Sequence, residues 1–207
     1  MQRIMFENIL PIIITAILAY LAGSVPTGYI VVKLAKNEDI REIGSGSTGA
    51  TNVKRVMGKK WFFIVLLLDA IKGIIPVLLA RTYVMPYSDI GLAPVIAATA
   101  VILGHSKSIF LKFTGGKSVA AGVGTIIALS LHGGLLIASI WALITYTTKY
   151  VSLGSIIALA LSPVIMYLFN APVCYIIYCV AGAIYIIYLH RENIKRLIRG
   201  EENKVRE

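Results

Sequence analysis

Seven stretches of apolar residues, separated by short polar segments, dominate the sequence. They occupy about residues 9–34, 61–80, 90–104, 119–131, 134–148, 154–169 and 172–189. A helix needs about 20 residues to cross about 30 Å of hydrocarbon, and several of these runs approach that length. The pattern predicts an all-α, polytopic integral membrane protein with about seven transmembrane helices, organised as a single domain over residues 1–207.

The third and fourth runs are shorter than a usual span. They must therefore borrow residues from the adjoining loops or lie where the protein thins the bilayer. A single re-entrant hairpin is the alternative, but it would strand the lysines between the two runs outside or at mid-depth. Seven full spans are the favoured interpretation.

Charge sets the expected orientation. The net charge of +10 would suggest nucleic acid in a soluble protein, but no basic patch is interleaved with aromatic residues, so no nucleic-acid partner is expected. If the N-terminus is external, all of the 20 lysines and arginines except Arg3, Arg81 and Lys72 fall in cytoplasmic segments. The positive-inside rule then predicts a cytoplasmic C-terminus and places every polar motif on the cytoplasmic face.

The first polar segment contains the sequence GSGSTGATNVKR at residues 44–55. Gly44, Gly46 and Gly49 have the spacing of a dinucleotide fingerprint, but neither a preceding strand nor a βαβ unit is predicted. The segment instead predicts a tight loop that offers N–H, hydroxyl and cationic donors to an anion. Its candidate ligands are Gly44, Ser45, Gly46, Ser47, Asn52 and Arg55. An ordinary linker is the alternative, although the segment lacks proline and bulky polar residues.

A second anion site is predicted where the fourth apolar run begins. Gly115, Gly116 and Lys117 precede Ser118, and a helix starting there would direct its unpaired N–H groups at an anion. An ATP-binding P-loop would require glycine at Leu111, so the pattern favours phosphate over nucleotide. His105, at the other end of this polar segment, is a further candidate ligand. The alternative is a loop whose lysines only orient the protein in the membrane.

Three further groups of polar residues lie in or beside apolar runs. Asp69 and Lys72 share a helical face within the second run, so we expect them to neutralise each other, with a direct catalytic role as the alternative. Ser155, at the start of the sixth run, can cap the helix or bind a ligand. The tail from His190 to Lys204 is basic and could form an interfacial helix on anionic lipid.

Three motifs together resemble those of the acyl-phosphate-dependent glycerol-3-phosphate acyltransferases, the PlsY family. They are GSGSTGATNVKR, GHSKSIFLKFTGGKSVAAG and HRENIKRLIRG. The resemblance implies that an acyl group passes from acyl phosphate to the 1-hydroxyl of glycerol 3-phosphate, giving lysophosphatidic acid and phosphate. It also implies a multi-pass protein of the bacterial inner membrane, with its active site facing the cytoplasm. An acyl-phosphate-forming enzyme of the same pathway would be a partner, and membrane lipid would surround the protein.

By position, the resemblance also implies residue roles. Catalytic roles fall on Ser45, Arg55, Lys117, His190 and Asn193, binding roles on Gly115, Gly116 and Ser155, and a structural role on Glu192. The chain departs from the family pattern at three positions. Ser47 replaces a usual Asn, Ser108 a usual Pro and Ser118 a usual Gly, and the added Cβ at residue 118 bears on substrate affinity.

The chemistry of the polar segments agrees with transfer from an activated donor. They are rich in cations, hydroxyls and N–H groups, and contain no HExxH motif, acid pair or Ser-His-Asp set, so no metal or other cofactor is expected. His190 could act as a general base or cap the C-terminal end of its helix. Our hypothesis is that His190 and Asn193 orient glycerol 3-phosphate, while a phosphate oxygen of a substrate takes the proton of the attacking hydroxyl. A transporter of a phosphorylated solute is the alternative function, although the outer halves of the runs are nearly all apolar.

Overall fold

The computed structural model describes residues 2–84 and 91–204, and in these residues the chain is all-α apart from one isolated bridge between Ser108 and Thr114. The first six α-helices are α1 (Gln2–Ser24), α2 (Thr27–Lys36), α3 (Ala50–Met57), α4 (Lys59–Leu79), α5 (Leu92–Ser106) and α6 (Val119–Leu129). Four more follow: α7 (Leu131–Thr148), α8 (Val151–Leu168), α9 (Val173–Leu189) and α10 (Arg191–Ile198). Short 3-10 turns lie at Ile40–Glu42 and Ile109–Leu111, and a π-helical turn at Ala80–Val84 follows α4.

Within residues 2–84 and 91–204, four segments are long and apolar enough to cross a membrane. They are Leu10–Lys36, Lys59–Val84, Leu131–Thr148 and Val151–Leu168, and the bent pair α9–α10 makes a fifth if the two helices form one span. The two runs predicted to be short are short helices in the structure, α5 and α6. The all-helical membrane architecture is therefore confirmed, whereas the count of seven spans stays a prediction.

The chain divides into two compact units, residues 1–128 and 129–207, while the single-domain assignment stays a prediction. In the first unit, glycines bring helix backbones into direct contact. A Cβ on Gly23 would overlap the carbonyl oxygen of Val101, and one on Gly104 would overlap that of Tyr20, so α1 and α5 pack without intervening side chains. Gly23, Ser24, Pro26 and Gly28 in the first run predict a kinked helix. The structure confirms this prediction, because α1 ends two residues before Pro26 and α2 begins at Thr27.

The second unit consists of α7 to α10. Gly154 at the start of α8 lies against Trp141 and Thr145 of α7, where a Cβ would be 2.9 Å from the Trp141 carbonyl oxygen. The chain bends by 62° between α9 and α10. After α10, Gly200 adopts a left-handed conformation with φ of 70°, which only glycine accepts without strain, and turns the tail.

Candidate active site

The first predicted anion loop is built around Asn52 in the first turn of α3. This side chain is 1% exposed, and its Nδ2 donates to the carbonyl oxygens of Ile40 (3.2 Å), Ile43 (2.9 Å) and Ser47 (3.0 Å). Its Oδ1 accepts from the backbone N–H of Ser45 at 3.0 Å. Asn52 was predicted as a ligand, but the structure places its amide inside the loop, where it fixes the loop's conformation.

The two glycines flanking Ser45 allow this loop to turn. Gly44 and Gly46 have φ values of 64° and 67°, a region that residues with a Cβ rarely adopt. A Cβ on Gly44 would also overlap Asn52 Oδ1. The loop leaves Ser45 and Arg55 exposed, while the Ser47 hydroxyl accepts from the Gly49 N–H at 3.3 Å. Of the predicted ligands with side chains, Ser45 and Arg55 are therefore exposed, Ser47 is half-buried and Asn52 is buried.

The second predicted loop folds back onto the end of α5. The Gly116 N–H donates to the His105 carbonyl oxygen at 3.1 Å, and the Ser108 N–H donates to the Thr114 carbonyl oxygen at 3.2 Å. Helix α6 begins at Val119, one residue after the predicted start. Lys117 is half-buried and lies two residues before the start of α6. The loop therefore brings a cationic side chain next to the N-terminus of this helix.

Ser118 and Ser108 were identified as departures from the family pattern, and the structure gives each a buried hydrogen bond. Ser118 is fully buried with φ of 59°, and its hydroxyl donates to the Ile102 carbonyl oxygen at 2.7 Å. The Ser108 hydroxyl donates to the Ser24 carbonyl oxygen at 2.6 Å. The Ser118 side chain thus points towards α5, and its hydroxyl serves packing in this structure.

The predicted neutralisation of Asp69 by Lys72 is confirmed. Their Nζ and Oδ1 atoms are 2.8 Å apart, and Lys72 Nζ also donates to the Val25 carbonyl oxygen at 2.8 Å, at the break between α1 and α2. His105 is buried next to this pair, with its Nδ1 3.7 Å from Asp69 Oδ1. The first unit therefore contains a buried charged group behind its second anion loop.

In the second unit, the predicted residues Ser155, His190 and Asn193 are all buried. The Ser155 hydroxyl donates to the Val151 carbonyl oxygen at 2.8 Å and accepts from Trp141 Nε1 at 3.2 Å. His190 Nδ1 is 2.8 Å from the Ile186 carbonyl oxygen. Because a carbonyl only accepts, Nδ1 must carry the proton, so Nε2 is the acceptor atom of the neutral ring.

Glu202 is a buried carboxylate beside the predicted site residue Asn193, and the sequence alone did not point to it. Its Oε1 accepts from Asn193 Nδ2 at 2.6 Å and from the Ser152 hydroxyl at 2.8 Å, and its Oε2 accepts from Arg196 Nε at 2.7 Å. Burial by itself would raise the pKa of Glu202, but these three hydrogen bonds outweigh burial and lower it. Glu202 therefore anchors Asn193 as a carboxylate.

Glu192, to which the resemblance assigned a structural role, is exposed in the structure. It pairs with Lys195 at 3.0 Å, and the hydrogen bond from Lys195 lowers its pKa. The sequence signal for Glu202 was weak. It consisted of a helix-ending glycine, Gly200, followed by two acidic residues in a mainly basic tail.

These loops and helices define a class of protein. This all-α membrane protein has few acidic residues at these loops. The loops present cationic side chains, exposed hydroxyls and the N–H groups of helix N-termini, which suit a membrane substrate that carries phosphate. The chain matches the model of the glycerol-3-phosphate acyltransferase family over residues 13–200.

Individual relatives agree with this match. A glycerol-3-phosphate acyltransferase of Nostoc sp. is 43% identical over 202 residues, covering 91% of this chain and 89% of the relative. One of Gloeobacter violaceus is 45% identical over 188 residues, covering 90% and 91%. The chain therefore belongs to the glycerol-3-phosphate acyltransferase family, as its motifs indicated.

Two solved structures are similar over nearly the whole chain. PlsY (YgiH), an integral membrane glycerol 3-phosphate acyltransferase, in its glycerol 3-phosphate form is 36% identical with a TM-score of 0.88, covering 95% of this chain and 96% of that one. Its lysophosphatidic acid form is 34% identical with a TM-score of 0.85 and the same coverage. The fold is thus that of a known membrane acyltransferase.

Proposed function

We propose that this enzyme transfers an acyl group from acyl phosphate to the 1-hydroxyl of sn-glycerol 3-phosphate, giving 1-acyl-glycerol 3-phosphate and inorganic phosphate. The observation that carries the proposal is the similarity of nearly the whole chain to a protein solved in glycerol 3-phosphate and lysophosphatidic acid forms. The choice of acyl phosphate as donor rests on the two anion loops, which supply cations and N–H groups for two phosphate-bearing substrates.

In the proposed reaction, the glycerol hydroxyl oxygen attacks the acyl carbonyl carbon, and the carbon–oxygen bond to phosphate breaks. Phosphate leaves with the bonding electrons. The donor is already activated, so positioning and charge stabilisation supply most of the catalysis. Arg55 and Ser45 hold a phosphate or the developing oxyanion at the first loop, and Lys117 with the first turn of α6 holds phosphate at the second.

His190 and Asn193 orient glycerol 3-phosphate in this proposal. The bond from His190 Nδ1 to Ile186 makes Nε2 the acceptor for a substrate hydroxyl, and Glu202 holds the Asn193 amide. The hydroxyl proton passes to a phosphate oxygen of a substrate, whose second pKa of about 6 is suitable. His190 then positions the nucleophile without taking its proton.

The proposal places the protein in the bacterial inner membrane with seven spans, an external N-terminus and the loops facing the cytoplasm. Four long apolar helices, the bent α9–α10 pair and the two short helices α5 and α6 are the candidate spans. The bias of lysine and arginine towards one set of segments supports the orientation. An enzyme that forms acyl phosphate would supply the donor, because acyl phosphates hydrolyse and must be made near their point of use.

A donor comparison tests the proposal. Purified protein in detergent is supplied with glycerol 3-phosphate and either palmitoyl phosphate or palmitoyl-CoA. We expect lysophosphatidic acid from palmitoyl phosphate alone. Lysophosphatidic acid formed from palmitoyl-CoA but not from palmitoyl phosphate would refute the choice of donor. A transporter would form no lysophosphatidic acid from either donor.

A further inference from the structure

His105 and the two glycines of the second anion loop are in unusually close contact. A Cβ added to Gly116 would overlap Nε2 of the His105 ring, and its distance from the ring's Cδ2 would be 3.0 Å. A Cβ added to Gly115 would instead overlap the main-chain carbonyl oxygen of His105. Neither glycine has a positive φ among the described residues, so the need for glycine here comes from contact with His105 and not from backbone conformation.

On its other side, the His105 ring packs against the Asp69 carboxylate. Its Nδ1 faces Asp69 Oδ1 at 3.7 Å, and both atoms are buried. Asp69 is 2% exposed and forms the 2.8 Å ion pair with Lys72. Lys72 is in turn held by the carbonyl oxygen of Val25, where Pro26 interrupts the first span. The α1–α2 break and the middle of α4 are therefore linked through Lys72, and the buried His105 ring at the end of α5 lies against the Asp69 carboxylate of that pair.

We propose that His105 is a positioning residue for acyl transfer. Its imidazole packs between the Asp69 carboxylate and Gly116, and its main-chain carbonyl packs against Gly115. This residue therefore sets where Lys117 and the first turn of α6 meet phosphate. His105 thus acts through the loop and not as a phosphate ligand. It is 7% exposed, and the loop covers its ring. The proposal rests on the phosphate-binding role given to this loop in the proposed function.

A double-mutant cycle tests this contact, because the two glycines meet different parts of His105. Gly116→Ala collides with the side chain, which His105→Ala removes. Gly115→Ala collides with the main chain, which no side-chain substitution removes, and it is therefore the matched control. His132→Ala, at an exposed histidine in the second unit, controls for loss of an imidazole elsewhere.

We expect Gly116→Ala to lower kcat/KM by about 100-fold in the parent enzyme but by less than about fivefold in the His105→Ala background. The inhibition constant of inorganic phosphate should follow the same pattern. Gly115→Ala should be equally harmful in both backgrounds, and His132→Ala should leave the effect of Gly116→Ala unchanged. If Gly116→Ala lowered kcat/KM equally in both backgrounds, the proposal would be overturned. It would also be overturned if His105→Ala reduced the effects of Gly115→Ala and Gly116→Ala equally.

Thermal unfolding of the same variants in detergent provides a readout that does not depend on the reaction. The cycle should show coupling of unfolding temperature between positions 105 and 116, and none between 105 and 115. If His105→Ala cannot be purified, His105→Asn, whose side chain ends short of the Nε2 position, serves in the same cycle. Failure of the parent enzyme to form lysophosphatidic acid would refute the proposed function, while the thermal cycle would still test the contact between His105 and Gly116 from which this inference is drawn.

Discussion

Glu202 allows a quantitative prediction, because one buried carboxylate accepts from three side chains of the second unit. Replacing it with alanine removes the hydrogen bonds to Asn193, Ser152 and Arg196 together. A buried hydrogen bond contributes about 1 kcal/mol net, and more when one partner is charged. The bond to Arg196 is discounted because that side chain is 37% exposed. We therefore expect Glu202→Ala to lower the free energy of unfolding by about 2–3 kcal/mol.

This loss corresponds to a decrease of about 5–10 °C in unfolding temperature for a chain of this size. Because Asn193 also loses its anchor, KM for glycerol 3-phosphate should rise by about tenfold, with a smaller change in kcat. Glu202→Gln should lower stability and raise KM by intermediate amounts. Its amide oxygen can still accept from Ser152 and Asn193, but its amide nitrogen cannot accept the hydrogen bond from Arg196 Nε.

The pH dependence of stability provides a second readout. The folded-state pKa of Glu202 is lowered, so its carboxylate stabilises the fold at pH values above the unfolded pKa of about 4.3. That contribution is lost as the pH falls through the lower folded-state pKa. Glu202→Gln should therefore remove part of the acid sensitivity of the parent enzyme between about pH 5 and the onset of unfolding.

Detergent-solubilised enzyme should be assayed by thermal unfolding and by phosphate release, with Glu201→Ala as the matched control. Glu201 is the adjacent, exposed carboxylate, so its loss changes net charge equally. Glu201→Ala should leave both the unfolding temperature and KM unchanged. Equal behaviour of the two alanine variants would refute the role assigned to Glu202.

Three other predictions follow from particular contacts. Ser118→Ala keeps the left-handed backbone and loses the hydrogen bond to Ile102, so it should lower the free energy of unfolding by about 1 kcal/mol. Ser118→Gly loses the same bond but relieves a backbone strain of about 1–2 kcal/mol, so it should be the more stable variant. Thermal unfolding that shows Ser118→Gly to be less stable than Ser118→Ala would contradict this. His190→Gln should raise KM for glycerol 3-phosphate yet retain substantial kcat at saturation, and a loss of kcat by several orders of magnitude at unchanged KM would make His190 the general base. In a cysteine-free background, an impermeant thiol reagent added to intact cells should label Tyr83→Cys but not Lys59→Cys, and the reverse pattern would invert the topology.

Features that depend on local sequence were predictable. Periodicity and hydropathy located the apolar helices, and Pro26 marked the break between α1 and α2. The three-residue spacing of Asp69 and Lys72 indicated their ion pair. The glycine-rich segment before α6 indicated a helix start, which lies within one residue of the prediction.

Features that depend on distant contacts were not predictable from one sequence. The Ser108 hydroxyl bonds a carbonyl 84 residues away, and Ser152 meets a carboxylate 50 residues away. The role of Asn52 was not predictable for a different reason. Amide side chains can bind anions, but the Asn52 Nδ2 donates to three carbonyl oxygens within 12 residues of it. Polar residues in a loop can serve the ligand or the loop itself, and composition does not distinguish the two.

The most direct test of the central claim follows the oxygen of the attacking hydroxyl. Enzyme in lipid vesicles is given palmitoyl phosphate and glycerol 3-phosphate labelled with ¹⁸O at the 1-hydroxyl, and the products are analysed by mass spectrometry. Attack at the acyl carbon predicts that the label stays in the ester of lysophosphatidic acid, with one unlabelled phosphate released for each ester formed. Phosphate release that does not depend on glycerol 3-phosphate, or label carried into a new phosphate ester of glycerol, would contradict acyl transfer.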